Sequence, residues 1–169
     1  MANTYEAIAT VTVTGATAAS MDFTSIPQTY TDLLIKYSGR VNAAVDPTLK
    51  IIFNSNTSNY SSKVLNGDGT AAGSYNGSTA YAYGGYVCNS AHTANTFSSG
   101  EIYIPNYTSS NNKSVSVDDV IETNATESYV FLAASLWSDS AAITSISLDP
   151  VNADLVQYSS ATLYGIKNS

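Results

Sequence analysis

The sequence predicts an all-β protein, a two-sheet β-sandwich of jelly-roll type with about ten short strands. Three observations lead there. Apolar and polar residues alternate with a period of two along most of the chain, the pattern of strands buried on one face. Only 11% of residues are charged, against ~25% in typical soluble domains, so Ser, Thr, Asn and Gly supply the polarity. Thirteen tyrosines add β-favouring side chains, and the Ala/Leu/Glu/Lys/Arg-rich surfaces of a helical protein are missing. A chain of 169 residues fits a single domain over 1–169 that can bury a core without staples. The lone Cys88 cannot close an intrachain disulfide, so packing must hold the fold.

Thr4 to Thr14 reads as the first strand, through Ile8 and Val11-Thr12-Val13-Thr14. After a turn at Gly15, Ala19, Met21 and Phe23 share one face, and pairing across that turn is the simplest expectation. Pro27 interrupts the ladder because it has no backbone donor. Asp32 to Val41 resumes it, with Leu33, Ile35 and Tyr37 opposite Leu34, Lys36 and Ser38. Leu49, Ile51 and Phe53 mark the next strand, Asn54 to Asn59 a loop, and Tyr60 to Leu65 a weaker strand. The Gly- and Tyr-rich stretch 66–95 is expected to form a long surface loop with one or two strands. Glu101 to Tyr107 is a strand that Pro105 ends or places at an edge. Ser109-Ser110-Asn111-Asn112 is a turn before Ser114 to Val117 and Val120-Ile121. Asn124-Ala125-Thr126-Glu127 makes another turn. Tyr129 to Trp137 is the most apolar run, and its β-branched and aromatic start predicts a central strand. Ile143, Ile146 and Leu148 follow, and Val156, Tyr158, Ala161, Leu163 and Ile166 mark the last strand. No repeat of 20–50 residues points to a propeller or solenoid.

The materials for chemistry are few. Proton transfer and metal binding draw on His, Cys or clustered carboxylates, and this chain has one His and one Cys. Cys88 and His92 stand four residues apart without a recognisable orienting partner, which argues against a nucleophilic pair or a zinc site. Asp118, Asp119 and Glu122 form the one acidic cluster, read as a strand edge kept soluble by charge. Asn66-Gly67-Asp68-Gly69 lacks the further oxygen ligands of a calcium loop and reads as a tight turn. No Gly-x-Ser-x-Gly elbow or phosphate-binding Gly-rich loop occurs. The expectation is a non-enzyme without metal or cofactor.

Six basic against thirteen acidic residues give a net charge of −7. The basic residues are scattered, so neither nucleic acid nor an anionic membrane is an expected partner. No stretch approaches the ~20 apolar residues of a membrane span, and the opening residues carry no export signal. Sequons such as Asn76-Gly77-Ser78 and Asn124-Ala125-Thr126 are therefore read as products of composition. Tyr75, Tyr81, Tyr83 and Tyr86 are the candidate binding residues, because a rigid ring with a hydroxyl suits protein contacts and sugar stacking alike. The competing reading is that these rings are ordinary strand and core residues.

Several strings resemble a family of small virion structural proteins of tailed bacteriophages, marine and cyanobacterial phages in particular. They are Tyr5-Glu6-Ala7-Ile8-Ala9, Ile26-Pro27-Gln28-Thr29-Tyr30-Thr31-Asp32-Leu33, Ile102-Tyr103-Ile104-Pro105-Asn106-Tyr107 and Ala161-Thr162-Leu163-Tyr164-Gly165-Ile166-Lys167. The resemblance implies a virion protein made in the host bacterial cytoplasm. Within the particle it implies a capsid decoration protein, a homo-oligomer with a trimer favoured, bound to the major capsid protein or other virion proteins. The alternative is a tail- or head-fibre receptor-binding module that recognises host surface glycan; against it, the chain has neither a heptad stretch nor a shaft repeat.

Overall fold

The computed structural model describes residues 4–124 and 128–167, and every regular element among them is a strand. In chain order these are β1 (Tyr5–Thr12), β2 (Thr17–Ala18), β3 (Met21–Phe23), β4 (Asp32–Gly39), β5 (Thr48–Phe53), β6 (Tyr60–Gly67) and β7 (Ala72–Asn76). Then come β8 (Ala82–Tyr86), β9 (Ser98–Ile104), β10 (Lys113–Ile121), β11 (Tyr129–Trp137), β12 (Ile146–Pro150), β13 (Leu155–Val156) and β14 (Ser160–Ile166). An eight-stranded antiparallel sheet runs β1-β14-β4-β9-β10-β11-β6-β7, and a four-stranded one runs β3-β12-β5-β8; β13 and β2 make a small third pair. The all-β reading from the sequence holds. A strict jelly roll has eight strands in two Greek keys, whereas here eight strands in one sheet lie against four in the other.

Period-two alternation becomes burial directly. Along β10, Lys113, Val115, Val117, Asp119 and Ile121 are buried while Ser114, Ser116, Asp118 and Val120 are exposed. The inward rows of both sheets meet in one core that includes Met21, Phe23, Leu33, Ile35, Leu49, Ile51, Ile102, Val117, Phe131 and Leu148. At one end of that core Trp137 packs on Phe53 and Tyr60, with ring centroids 5.6 and 6.2 Å away. The asparagine-rich composition has a backbone use. Among the described residues, Asn54, Asn59, Asn95, Asn106, Asn124 and Asn152 hold positive φ at bends, a conformation Asn tolerates better than most side chains.

Two expectations change, and one between them holds. The strand before Gly15 does not pair with the one after it: β1 pairs with β14 and β3 with β12. The chain leaves the large sheet at the buried Val13, and Met21 and Phe23 then point into the core from the opposite layer. The 66–95 stretch holds two strands, within the one or two expected, and then a loop from 87 to 97. β6 extends to Gly67, β7 pairs with it, and β8 is a largely buried edge of the small sheet. Tyr129 to Trp137 is indeed a strand inside the large sheet, but only one of its faces is covered. The last three residues of the expected turn at 124–127, and with them Ala125 and Thr126 of the sequon, lie outside the described residues.

Candidate functional site

The tyrosine candidates assemble around β8. Tyr75 on β7 meets Tyr83 edge to face, and the two hydroxyls lie 2.6 Å apart. Tyr86 packs edge-on against Phe131, centroids 4.5 Å apart, and against Tyr129. Together these rings fasten β8 and β7 to β11. Tyr83 is 4% exposed and offers no face to a partner, Tyr81 and Tyr86 are half-buried, and Tyr75 is 38% exposed. Desolvation pushes the Tyr75 hydroxyl up to about 12 and raises Tyr83 further. Much of the cluster is therefore core, and Tyr75 keeps the accessible ring surface. The most exposed tyrosines lie elsewhere: Tyr5 at 57% and Tyr158 at 72%. Tyr158 holds φ of 75° in the turn before β14, where the sequence pattern places it within a strand.

Beneath β8 lies a polar node built across three strands. Tyr37 of β4 and Asp119 of β10 both stand opposite Gly100 of β9. A Cβ at Gly100 would fall 2.4 Å from the Tyr37 ring, so only glycine lets that ring lie across β9. The Tyr37 hydroxyl then stands 2.7 Å from Asp119 Oδ1 and 2.7 Å from the Gly84 carbonyl of the facing sheet. Asp119 Oδ2 accepts from the Tyr86 amide at 3.0 Å. Gly85, at φ +88°, sits directly on the carboxylate, where a Cβ would come within 2.6 Å of it. Burial pushes the Asp119 carboxyl up to about 7. The node joins the sheets and is sealed from solvent.

The 88–97 segment contains an arrangement that sequence reasoning misses. Cys88 Sγ lies 3.3 Å from His92 Nδ1, and His92 Nε2 lies 3.4 Å from Asp46 Oδ1. Thiol, imidazole and carboxylate thus stand in the order of a nucleophile, its base and an orienting group. The missing orienting partner is Asp46, far away in sequence and held by Asn89 at 2.7 Å. Cys88 is fully buried, however, and the segment above it is tied down by Arg40, which donates to the carbonyls of His92, Thr93 and Thr96 at 2.9–3.1 Å. In this geometry the three groups anchor a loop. Asp68 is structural as well. Its Oδ1 accepts from the amides of Thr70 and Ala71, closes the β6–β7 turn and is held down to about 2 by those bonds. Among the described residues, no group of three or more His, Cys, Asp or Glu side chains is arranged to hold a metal ion.

The outer face of the large sheet divides in two. Toward β14, β4 and β9 it is polar and paired within itself: Lys36 meets Glu101 at 2.7 Å, Thr10 meets Thr162 at 3.0 Å, and Tyr103 donates to Asp32 at 2.8 Å. Toward β10, β11 and β6 it carries an apolar patch, bordered by Ser61, Lys63, Ser114, Ser116 and Asp118. Leu65, Val120, Val130 and Leu132 are 54%, 43%, 62% and 55% exposed. Register makes them contiguous, with Leu132 opposite Leu65 and Val130 opposite Val120. Soluble monomers seldom leave such side chains together. Comparison with family models, with curated proteins and with solved structures finds no match to this chain.

Proposed function

We propose that this chain is a bacteriophage virion structural protein that acts by contact, a capsid decoration protein binding the assembled shell as a homo-oligomer. The observation that carries the reading is the apolar patch on the outer face of β10, β11 and β6, formed by the exposed Leu65, Val120, Val130 and Leu132. Such a patch is the usual sign of a protein contact. Two supports stand beside it: the sequence strings that resemble small phage virion proteins, and the buried state of Cys88, which withholds the thiol from a substrate. A protein that binds only the assembled shell stabilises that shell by mass action.

Co-sedimentation of the purified chain with empty capsids of the parent phage tests this. Retention on capsids, lost when Leu65 and Leu132 are both changed to Ser, is the expected result. Saturable binding to host cells or to a glycan array, without capsid retention, replaces the reading with that of a receptor-binding module. Imaging the parent particle then gives the location directly.

A further inference from the structure

Strand β11 reads as apolar on both faces, yet the small sheet covers only one of them. Its inward row, Phe131, Ala133, Ser135 and Trp137, is core; its outward row, Val130, Leu132, Ala134 and Leu136, is in large part open to solvent. The surrounding face is short of charge. Among the outward-pointing residues of β10, β11, β6 and β7, Lys63 and Asp118 are the charged ones, one of each sign.

That balance bears on what can cover the face. The whole chain carries −7, so contacts between copies generally bring like charge together, whereas this face is neutral. Its two charges also flank the apolar centre on opposite sides. Asp118 lies on β10 opposite Leu132, and Lys63 lies on β6 opposite Ala134. Stacking two such faces about a two-fold axis along β11 sets Leu132 against its own counterpart. It carries β10 of each copy over β6 of the other, which brings Lys63 toward the second copy's Asp118 in two symmetric pairs, the self-complementarity of an isologous interface. Size is adequate too. The same axis lays β7 of each copy over β9 of the other, where Glu101 is already paired with Lys36. Five strands about 4.8 Å apart and about seven to eight residues long are thus covered on each copy, about 600 Å² in projection, and accessible area exceeds projection, so the face approaches the ~800 Å² per partner of a stable complex.

We propose that the outer face of β10, β11, β6 and β7 is the seat of a second copy of this chain, stacked face to face about a two-fold axis. This rests on the reading of that face as a contact surface and names its occupant. Face-to-face stacking joins two copies, so the expected particle is a dimer where the virion resemblance favoured a trimer.

Sedimentation of the purified full chain tests the pairing. The wild type should sediment as a dimer. Leu132→Glu should sediment as a monomer while keeping its circular-dichroism spectrum, because the position is outside the core. Lys63→Glu and Asp118→Lys should each weaken dimerisation at least about tenfold, and the double variant should recover it, since exchanging both signs restores both pairs. A monomeric or trimeric wild type overturns the pairing, as does a double variant no tighter than the singles. The capsid assay separates the two proposals. A monomer retained on capsids leaves the virion reading standing with the shell as occupant, and a dimer that ignores capsids leaves the pairing standing without it.

Discussion

Phe131 and Leu132 are neighbours on one strand with similar appetites for burial, and their surroundings are opposite. Phe131 is 1% exposed beneath β8, and Leu132 is 55% exposed on the far side of the same sheet. Asp118 and Asp119 repeat the contrast on β10, one carboxylate in water and the other sealed between sheets. Side-chain type does not decide these outcomes. The pleat assigns each residue to a face, and the presence or absence of a covering layer decides the rest.

Substitutions on the two faces should therefore differ widely. Phe131→Ala removes a ring packed on Tyr83, Tyr86 and Tyr129 and should lower unfolding stability by about 3–5 kcal/mol in urea titration. A cost under about 1 kcal/mol would mean that the inner face is not packed as described.

The carboxylate contrast predicts a pH dependence. Burial raises Asp119 from 3.8 to about 7, so the native state binds its proton more tightly than the unfolded chain. Its stabilising effect is complete below the ordinary carboxylate range, declines as pH rises and is lost above about 7. At 1.36 kcal/mol per pKa unit the whole effect is about 4 kcal/mol. Urea midpoints should fall across that interval for the wild type and stay nearly level for Asp119→Asn, whose amide imitates the protonated acid. Asp68, held low by its turn amides, acts in the opposite sense and below that window.

Tyr37→Phe strips the shared hydroxyl from the node and should cost about 1–3 kcal/mol, the range for buried polar groups deprived of a partner. The smallest effect belongs to the outer face. Leu132→Ser, measured at a concentration where the chain is monomeric, should shift stability by no more than about 0.5 kcal/mol. A loss as large as that of Phe131→Ala would erase the distinction between the faces.

The sequence makes much of this architecture legible, and β10 shows why. Its strict alternation of Val115, Val117 and Ile121 with Ser114, Ser116 and Asp118 is a local property that survives whatever the strand packs against. The same parity puts Asp119 on the inward row, so the pattern itself signals a buried carboxylate where a solvated edge is the simpler expectation. β11 is legible as a strand, but its continuous apolar run carries no information on how many strands oppose it. A single covering sheet leaves its other side bare. Strand partners are less accessible still: the β1–β14 pairing spans nearly the whole chain, and a turn at Gly15 looks the same whether it closes a hairpin or crosses between layers. Asp46 gives no sign of its link to His92, because tertiary packing alone brings them together. Composition singles out the tyrosines, but which rings sink into the core follows from β8 lying over β10 and β11.

The junction of Tyr37, Asp119 and Gly84 also obeys a simple count of hydrogen atoms. The phenol has one hydrogen and two oxygen neighbours, both at 2.7 Å. If the phenol gives its hydrogen to the Gly84 carbonyl, the acid must supply another for the second contact, and a relay then runs from β10 through β4 to β8. Remove that second hydrogen and the phenol can serve one neighbour only, so one of the node's links between the layers depends on that proton while the Tyr86 amide bond to Asp119 does not.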